Sequence, residues 1–381
     1  KVKILYNIDL NKEIVLASNE QTNWGFFSSN DSSFYREVTF KKKNIPKGVI
    51  KDYYYDGKLK RIFYAKYYSL NLKSGDSIFF NGPKYEFYSN GKKKLDEVYI
   101  NNKLYGFRQA YFSSGQLLTS VYYDYGLKNG TESGYFLSGK LEYQGDFKND
   151  KYEGYAYNFY ESGNIELKIN FSNNLRQGEA ISYYDEPDLV KSITPLKDDL
   201  IQGKQIEYYK SGKVKRTKNY VDGLAQGESI DYDSYGSTSV NYVDDLRQGK
   251  KIGYYQSGEL MSTTNYVDDL VQGEAISYYK SGEIEYKASW VDNIMQGKTI
   301  EYFESGEVRY SLNYIDNIAQ GQEIGYYKSG ELEYTKNYVD DLKQGQEIGY
   351  YKSGELEYTI NYIDNLKQGE QIYYKIGQRK D

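Results

Sequence analysis

The sequence of 381 residues contains no cysteine and no histidine. Without cysteine there is no disulfide, thiol nucleophile or cysteine-based zinc site, and without histidine the commonest metal ligand and general base are missing. The reactive side chains that remain are Ser, Thr, Tyr, Lys and the carboxylates, and they show no convergent site with a base. The sequence therefore predicts a non-enzymatic protein with no catalytic residues, no cofactor and no metal centre.

Long hydrophobic runs are also missing. No stretch of about 18 apolar residues occurs, so the sequence predicts no transmembrane segment. The chain begins at Lys1 instead of Met, which fits either a removed secretory signal or a trimmed start. The abundance of Lys, Asn, Ile and Tyr resembles AT-rich bacterial coding. We expect an extracellular or cell-surface protein of a bacterium, with a cytoplasmic location as the alternative.

Tyrosine and glycine dominate the composition instead. The chain has 49 Tyr and 36 Gly but only 4 Pro, and tyrosine rings suit the half-exposed faces of a β-sheet. The charge is uneven. Residues 1–100 hold 18 Lys and Arg against 11 Asp and Glu, a net charge of +7, whereas the remaining residues hold 31 against 43, a net charge of −12.

Glycines recur with a fixed period through most of the chain. One series is spaced by 24 residues, except for 25 before Gly203 and 22 before Gly249, and a second glycine follows nine residues after most of its members. With the pair Gly48 and Gly57, this gives 14 recognisable units, and a period of this length indicates a repeat architecture. The first series is Gly82, Gly106, Gly130, Gly154, Gly178, Gly203, Gly227, Gly249, Gly273, Gly297, Gly321, Gly345 and Gly369.

Residues 273–296, GEAISYYKSGEIEYKASWVDNIMQ, represent one unit. Two β-prone segments, 274–279 and 283–291, flank a Lys-Ser-Gly sequence, which favours a three-residue connection with its glycine in a left-handed conformation. We therefore predict a β-hairpin. Its predicted cross-strand pairs are Tyr279 with Glu283, Tyr278 with Ile284, and Ile276 with Tyr286.

This register predicts one apolar and one polar face for each hairpin. The apolar face would carry Ile276, Tyr278, Ile284, Tyr286 and Trp290. Stacking equivalent hairpins would align the Tyr278 position into an aromatic column, with a second column behind it. The residues of that second column are the candidates for a partner-binding surface, although packing between repeats is the alternative role: Tyr255, Tyr279, Phe303, Tyr327, Tyr351 and Tyr374.

The repeated pattern G-x4-Y-Y-x-S-G, followed by Y-x-D-D/N-L-x-Q-G, resembles the variant MORN repeat of bacterial proteins over about residues 47–381. The resemblance implies an antiparallel hairpin array that acts as a scaffold or protein-interaction surface. Some bacterial relatives of this kind are described as antitoxins. The predicted fold class is all-β: an elongated array of about 14 antiparallel β-hairpin repeats of 24 residues that form one long twisted sheet.

Departures from the period predict the domain organisation. Residues 1–46 lack the pattern and are predicted to form an N-terminal β cap, because arrays need atypical ends that protect their outer strands. Residues 47–381 are predicted to form the array. Within it, Pro187 replaces a turn glycine and Asp233 replaces a tyrosine. These changes predict an irregular stretch near 185–240, with a local kink or change of superhelix, unless they are tolerated defects.

Acidic residues mark nearly every turn between hairpins from Asp198 onward. One turn offers too few ligands for a tight cation site, so ordinary turn chemistry is favoured, with weak cation binding as the alternative. The acidic row also disfavours nucleic acid as a partner, because phosphate would be repelled.

The leading functional hypothesis is a structural or protein-interaction scaffold. The partner would be another protein or a second copy, bound to the sheet face or to the C-terminal edge strand at 370–375. A glycan-binding repeat module is the first alternative, because aromatic platforms suit sugar rings. The antitoxin role that the resemblance implies is the second alternative.

Overall fold

The computed structural model describes residues 2–7, 12–17, 34–38, 40–42, 45–54, 56–69 and 77–377. These residues form β-strands and turns and contain no helix. The chain divides into two compact units, Lys1–Leu200 (unit 1) and Ile201–Asp381 (unit 2), and in each unit strands that follow one another in the chain pair in antiparallel fashion. The predicted all-β hairpin fold is confirmed.

Unit 1 begins with three strands in which β1 pairs with both β2 and β3, and β3 pairs with β6. Residues 18–33 of the predicted cap lie outside the described residues. The strands are β1 (Val2–Asn7), β2 (Lys12–Ala17), β3 (Phe34–Val38), β4 (Phe40–Lys42), β5 (Ile45–Pro46), β6 (Ile50–Tyr54), β7 (Leu59–Ser69), β8 (Ser77–Phe87), β9 (Lys93–Ile100), β10 (Lys103–Leu104), β11 (Gly106–Tyr111), β12 (Leu117–Asp124), β13 (Leu127–Tyr135), β14 (Leu141–Lys148), β15 (Lys151–Phe159), β16 (Ile165–Ser172), β17 (Leu175–Tyr183) and β18 (Val190–Lys197).

Unit 2 consists of hairpin repeats throughout. The two-residue strand β19 covers Leu200–Ile201. The strands of unit 2 are β20 (Gly203–Tyr208), β21 (Val214–Val221), β22 (Leu224–Tyr232), β23 (Gly236–Val243), β24 (Leu246–Tyr255), β25 (Leu260–Val267), β26 (Leu270–Val271), β27 (Gly273–Tyr278), β28 (Ile284–Val291), β29 (Ile294–Met295), β30 (Gly297–Tyr302), β31 (Val308–Ile315), β32 (Ile318–Tyr326), β33 (Leu332–Val339), β34 (Leu342–Lys343), β35 (Gly345–Tyr350), β36 (Leu356–Ile363) and β37 (Leu366–Tyr373).

The predicted hairpin register is correct next to the turn and wrong beyond it. The Tyr279 amide donates to the Glu283 carbonyl at 2.9 Å, and Tyr278 lies opposite Ile284. Tyr286, however, lies opposite Ser277, because a β-bulge between Ser277 and Tyr278 adds one residue to β28. A bulge of this kind shifts the register of every residue after it.

This shift reassigns the two faces of the sheet, because residues directly opposite each other point to the same side. Tyr286 and Trp290 lie on one face, here called face A, whereas Ile276 and Tyr278 lie on the other, face B. The predicted single apolar face is therefore incorrect. Both faces carry aromatic rings.

The two glycine series mark two different backbone features. Gly282 has φ 91° and closes the hairpin turn, and its amide donates to the Tyr279 carbonyl at 2.9 Å. Gly297 has φ 84° and begins the next strand, at the point where β28 changes partner from β29 to β30. Both positions need a left-handed backbone, which glycine adopts without strain.

Buried residues are few and differ between the units. In unit 1, a cluster of Val38, Ile50, Phe63 and Tyr68 packs beside the buried ion pair of Arg36 and Asp52. In unit 2, the buried side chains of face A include the small or aliphatic Ala288, Thr299 and Leu312 and also Tyr266, Tyr362 and Glu323.

The predicted irregular stretch consists of two altered turns between strands of ordinary length. Asp188, with φ 54°, takes the left-handed position after Pro187, and the Tyr184 amide still donates to the Leu189 carbonyl at 2.9 Å. At the second turn, Asp233 Oδ1 accepts hydrogen bonds from the amides of Tyr235 and Gly236. The hairpin of β22 and β23 has no bulge. The change of turn sequence at Asp233 therefore goes with strands that are more regular than those of a repeat with a bulge, such as β27 and β28.

Candidate interaction surfaces

The predicted partner-surface residues lie in one column at the hairpin-turn edge of unit 2. Four of them use their hydroxyl groups to join neighbouring repeats. Each donates to the backbone carbonyl of the residue that precedes its counterpart in the next repeat: Tyr255 to Tyr278 at 2.6 Å, Tyr279 to Tyr302 at 2.7 Å, Tyr327 to Tyr350 at 2.8 Å, and Tyr351 to Tyr374 at 2.9 Å.

Phe303 occupies the same column without a hydroxyl group, and Tyr374 follows the last strand of the described array. The rings of the column are half-buried, and cations of the next turn cover some of them. Lys280 Nζ lies 5.6 Å from the ring centre of Tyr255, and Lys352 Nζ lies 5.6 Å from that of Tyr327. Burial and the nearby Glu285 carboxylate raise the pKa of Tyr279. Most of the hydroxyl groups in this column therefore serve to join neighbouring repeats.

The opposite edge of each repeat contains a two-residue turn in which both residues have positive φ. In the turn of Asp292 and Asn293, the first side chain accepts a hydrogen bond from Gln272 Nε2 of the preceding repeat. Asn293 Oδ1 accepts from the Val271 amide at 2.7 Å, and the Asn293 amide donates to the Val271 carbonyl at 3.1 Å. Each turn is thereby fixed to the repeat before it.

These contacts account for the acidic row that the sequence contains. The turn carboxylates act as hydrogen-bond acceptors for glutamine and for backbone amides. Among the residues that the structure describes, no three acidic side chains come together in a group that could hold a metal ion. Weak cation binding stays a prediction of the sequence.

Aliphatic side chains flank every one of these turns in unit 2. The two members of each pair lie directly opposite each other on face B, and each side chain is 36% to 66% exposed. We call this surface the aliphatic ridge. Its pairs are Val221 with Leu224, Val243 with Leu246, Val267 with Leu270, Val291 with Ile294, Ile315 with Ile318, Val339 with Leu342, and Ile363 with Leu366.

The equivalent turns of unit 1 lack such a ridge. Each pair at the four turns between β9 and β17 includes a polar or charged residue: Ile100 with Lys103, Asp124 with Leu127, Lys148 with Lys151, and Ser172 with Leu175. The aliphatic ridge is thus a property of unit 2. The ridge was not predicted from the sequence, although its signal, an aliphatic residue on each side of the turn, recurs in every repeat of unit 2.

Face A of unit 2 carries a partly buried charged cluster. Glu323 is 8% exposed; it accepts a hydrogen bond from the Tyr334 hydroxyl at 2.7 Å and pairs with Lys336 at 2.8 Å. Burial and the Glu323 contact raise the pKa of Tyr334, and Glu323 raises the pKa of Lys336 although burial acts in the opposite direction. The Tyr334 ring covers Gly325, where an added Cβ atom would lie 2.3 Å from the ring. Because the charges are paired, the cluster is structural.

A groove of about 430 Å³ lies in unit 1 between residues 136 and 166. Its lining includes the cross-strand pair Gln144 and Tyr157 and the adjacent pair Tyr143 and Asn158. Adjacent pairs point to opposite faces of a sheet, so one ligand ring cannot contact all of these side chains. The lining therefore includes side chains from both faces of the sheet.

The predicted C-terminal edge strand is β37. It pairs with β36 along one side, and each of its residues is exposed. The described residues contain no helix capable of spanning a membrane.

Comparison with known proteins identifies the repeat. A family model described as "MORN repeat variant" matches seven segments: 128–149, 152–173, 201–222, 247–268, 271–292, 295–316 and 343–364. No curated protein matches the chain.

Two solved structures are similar to 87% of this chain, with 10% sequence identity and a TM-score of 0.15. They are the TcdB2-TccC3-Cdc42 complex and the Photorhabdus luminescens Tc holotoxin pore. The chain spans about a quarter of the length of these proteins, 24% and 25% respectively.

Proposed function

Because the chain belongs to the MORN repeat variant family, we propose that it is a non-enzymatic scaffold that binds a protein partner. This proposal rests on one observation: the recurring polar side chains form hydrogen bonds between neighbouring repeats. Tyr279 and Gln272 each bond to the next repeat, as do their counterparts in most other repeats of unit 2. These groups stabilise a regular surface and are not free to bind a small ligand.

A surface of repeated, fixed elements suits a large partner. Repeat arrays bury area between neighbours and present the remaining surface as an extended binding area. In this chain the remaining surface of unit 2 includes exposed aliphatic side chains in every repeat. Such apolar surface marks interaction sites in soluble proteins.

We place the scaffold outside a bacterial cell or on its surface. A chain without cysteine is compatible with an oxidising compartment. A second copy of the chain is the other partner that we consider, through a sheet face or through β37. The glycan-binding and antitoxin roles stay predictions of the sequence.

Affinity purification of the intact chain from its native source tests the scaffold function. We expect a protein that co-purifies at fixed stoichiometry and binds the purified chain directly. Recovery of a glycan polymer instead, or turnover of a substrate by the purified chain, would contradict the proposal.

A further inference from the structure

The aliphatic ridge is not needed to form the turns that it flanks. The turn of Asn149 and Asp150 in unit 1 has φ values of 51° and 65°, and that of Asp292 and Asn293 in unit 2 has 50° and 67°. Both turns are fixed in the same way, with Lys128 N and Val271 N as the respective donors at 2.7 Å. Yet Lys148 and Lys151 flank the first turn. Folding alone therefore does not explain seven consecutive aliphatic pairs.

The ridge is large enough to support binding. Each of its fourteen side chains is between 36% and 66% exposed. Together they offer on the order of 1,000 Å² of apolar surface, compared with the ~800 Å² that each partner contributes to a standard interface. Exposed apolar patches of this size mark sites of interaction.

The negative charge of the turns beside the ridge limits which classes of partner can bind there. The seven turns of unit 2 contain ten carboxylates, whereas the five equivalent turns of unit 1 after β9 contain three, Asp150, Asp198 and Asp199. Among residues 201–377, only Asp269 of these ten forms an ion pair, with Arg247. The glutamine contacts are neutral and leave the carboxylate charge in place. The ridge is therefore bordered by uncompensated negative charge, which repels nucleic acid, anionic lipid and a second ridge.

The period of the ridge suits one secondary structure. Each repeat contributes two strand widths, so successive aliphatic pairs are about 10 Å apart. Two turns of an α-helix, seven residues, rise about 10.5 Å, so apolar residues at every seventh position would meet successive pairs. Lysine or arginine residues beside that apolar row would face the turn carboxylates.

We propose that the aliphatic ridge and its bordering carboxylates bind a cationic amphipathic helix of a partner protein. This inference rests on the proposed scaffold function and specifies its binding surface and the chemistry of its partner. Apolar burial supplies the affinity, and the carboxylates select basic over acidic helices.

The test uses two synthetic helical peptides with the same leucine row, one flanked by lysine and the other by glutamate. We expect the full-length chain to bind the lysine peptide in fluorescence anisotropy, with weaker binding at higher salt, and not to bind the glutamate peptide. Equal binding of both peptides, or none of either, would overturn the proposal.

Three variants of the full chain locate the binding surface. The charge variant removes four charges but keeps the side-chain oxygen acceptors: Asp292→Asn, Asp316→Asn, Asp340→Asn and Asp364→Asn. The apolar variant makes three ridge side chains polar: Val267→Thr, Val291→Thr and Val339→Thr. The control variant makes two exposed leucines of unit 1 polar: Leu127→Thr and Leu175→Thr. We expect the first two variants to bind the lysine peptide at least tenfold more weakly, and the control variant to bind it within twofold of the original chain. The same loss in all three variants would overturn the proposal.

The native partner separates this proposal from the scaffold function. If the charge and apolar variants still capture the protein that the original chain captures, the ridge proposal fails and the scaffold function stands. If the original chain captures no protein, the scaffold function fails. Sedimentation equilibrium gives a further outcome: self-association that the apolar variant abolishes would identify a second copy as the occupant and overturn the helix proposal.

Discussion

The inter-hairpin turns of the two units have the same backbone but different surfaces. Both use two residues with positive φ and a side-chain oxygen that accepts from an amide of the preceding repeat. Only unit 2 adds an exposed aliphatic pair at every turn, and most of its turns carry more carboxylates than those of unit 1. The shared features show what the fold requires. The exposed aliphatic pairs of unit 2 lie on positions that the fold leaves free, and these positions are the ones open to function.

The largest expected effect concerns the second residue of the inter-hairpin turn, which has the same backbone conformation and the same hydrogen bond in both units. Asn293→Ala and Asp150→Ala should each destabilise the chain by about 2–3 kcal/mol, because alanine strains the left-handed backbone and loses one hydrogen bond. Glycine at either position should remove only the bond, about 1 kcal/mol. Urea unfolding measures both effects. A difference above about 1 kcal/mol between the two alanine variants would mean that the units do not share one framework.

The next effect concerns the tyrosine hydroxyl groups, which join repeats in both units. Tyr279→Phe and Tyr160→Phe should each cost about 1 kcal/mol, because the acceptor carbonyls of Tyr302 and Tyr183 lose a donor. Phe303→Tyr should have the opposite sign and stabilise the chain by about the same amount. Thermal and urea unfolding check these values. A destabilising Phe303→Tyr would show that this column cannot accept a hydroxyl at every repeat.

A smaller effect is expected from acid. The backbone amide and side chain of Arg176 lower the pKa of Asp199, and the side chain and backbone amide of Arg247 lower the pKa of Asp269. A carboxyl with a lowered folded-state pKa stabilises the fold above its unfolded pKa of about 3.9 and loses that contribution as pH falls further. Asn substitution at either position should therefore flatten the fall in the urea midpoint below about pH 4. An unchanged pH profile in both variants would contradict the lowered pKa of the two carboxyl groups.

The smallest expected effect is the most direct test of the comparison. Replacing Val291 and Ile294 with lysine gives unit 2 the pair that unit 1 has at Lys148 and Lys151. Because the sites are exposed and the backbone is unchanged, stability should stay within about 0.5 kcal/mol of the original. A larger loss would show that the aliphatic ridge contributes to folding, and would weaken the argument for a binding role.

Sequence reasoning was reliable wherever glycine and the turn dictated geometry. The Lys280-Ser281-Gly282 turn predicted the Tyr279–Glu283 contact and the Tyr278–Ile284 pair, and both are present. The face assignment failed one residue later, at the bulge. Periodic alternation cannot reveal a bulge, since the inserted residue, Glu285, looks like any other polar strand residue.

The surface chemistry was harder to predict for another reason. The sequence contains the acidic turns and the glutamines, but their contacts depend on which repeat lies beside which turn. The Gln272–Asp292 contact joins residues 20 apart, and only the stacked strands bring them together. The aliphatic ridge was hidden similarly, because Val291 and Ile294 resemble core residues until their exposure is known.

The short sequence span of the ties between repeats affects how unit 2 can be made. Tyr279 reaches an acceptor 23 residues ahead, Gln272 one 20 residues ahead, and Val271 one 22 residues ahead. During synthesis at about 5–20 residues per second, one repeat emerges in roughly 1–5 s, whereas a β-hairpin forms in about 1–10 μs. Each new repeat can therefore dock on the repeat already folded before the next one exists. Growth from one end keeps the unpaired strand edge short-lived at every stage, which limits the time for aggregation.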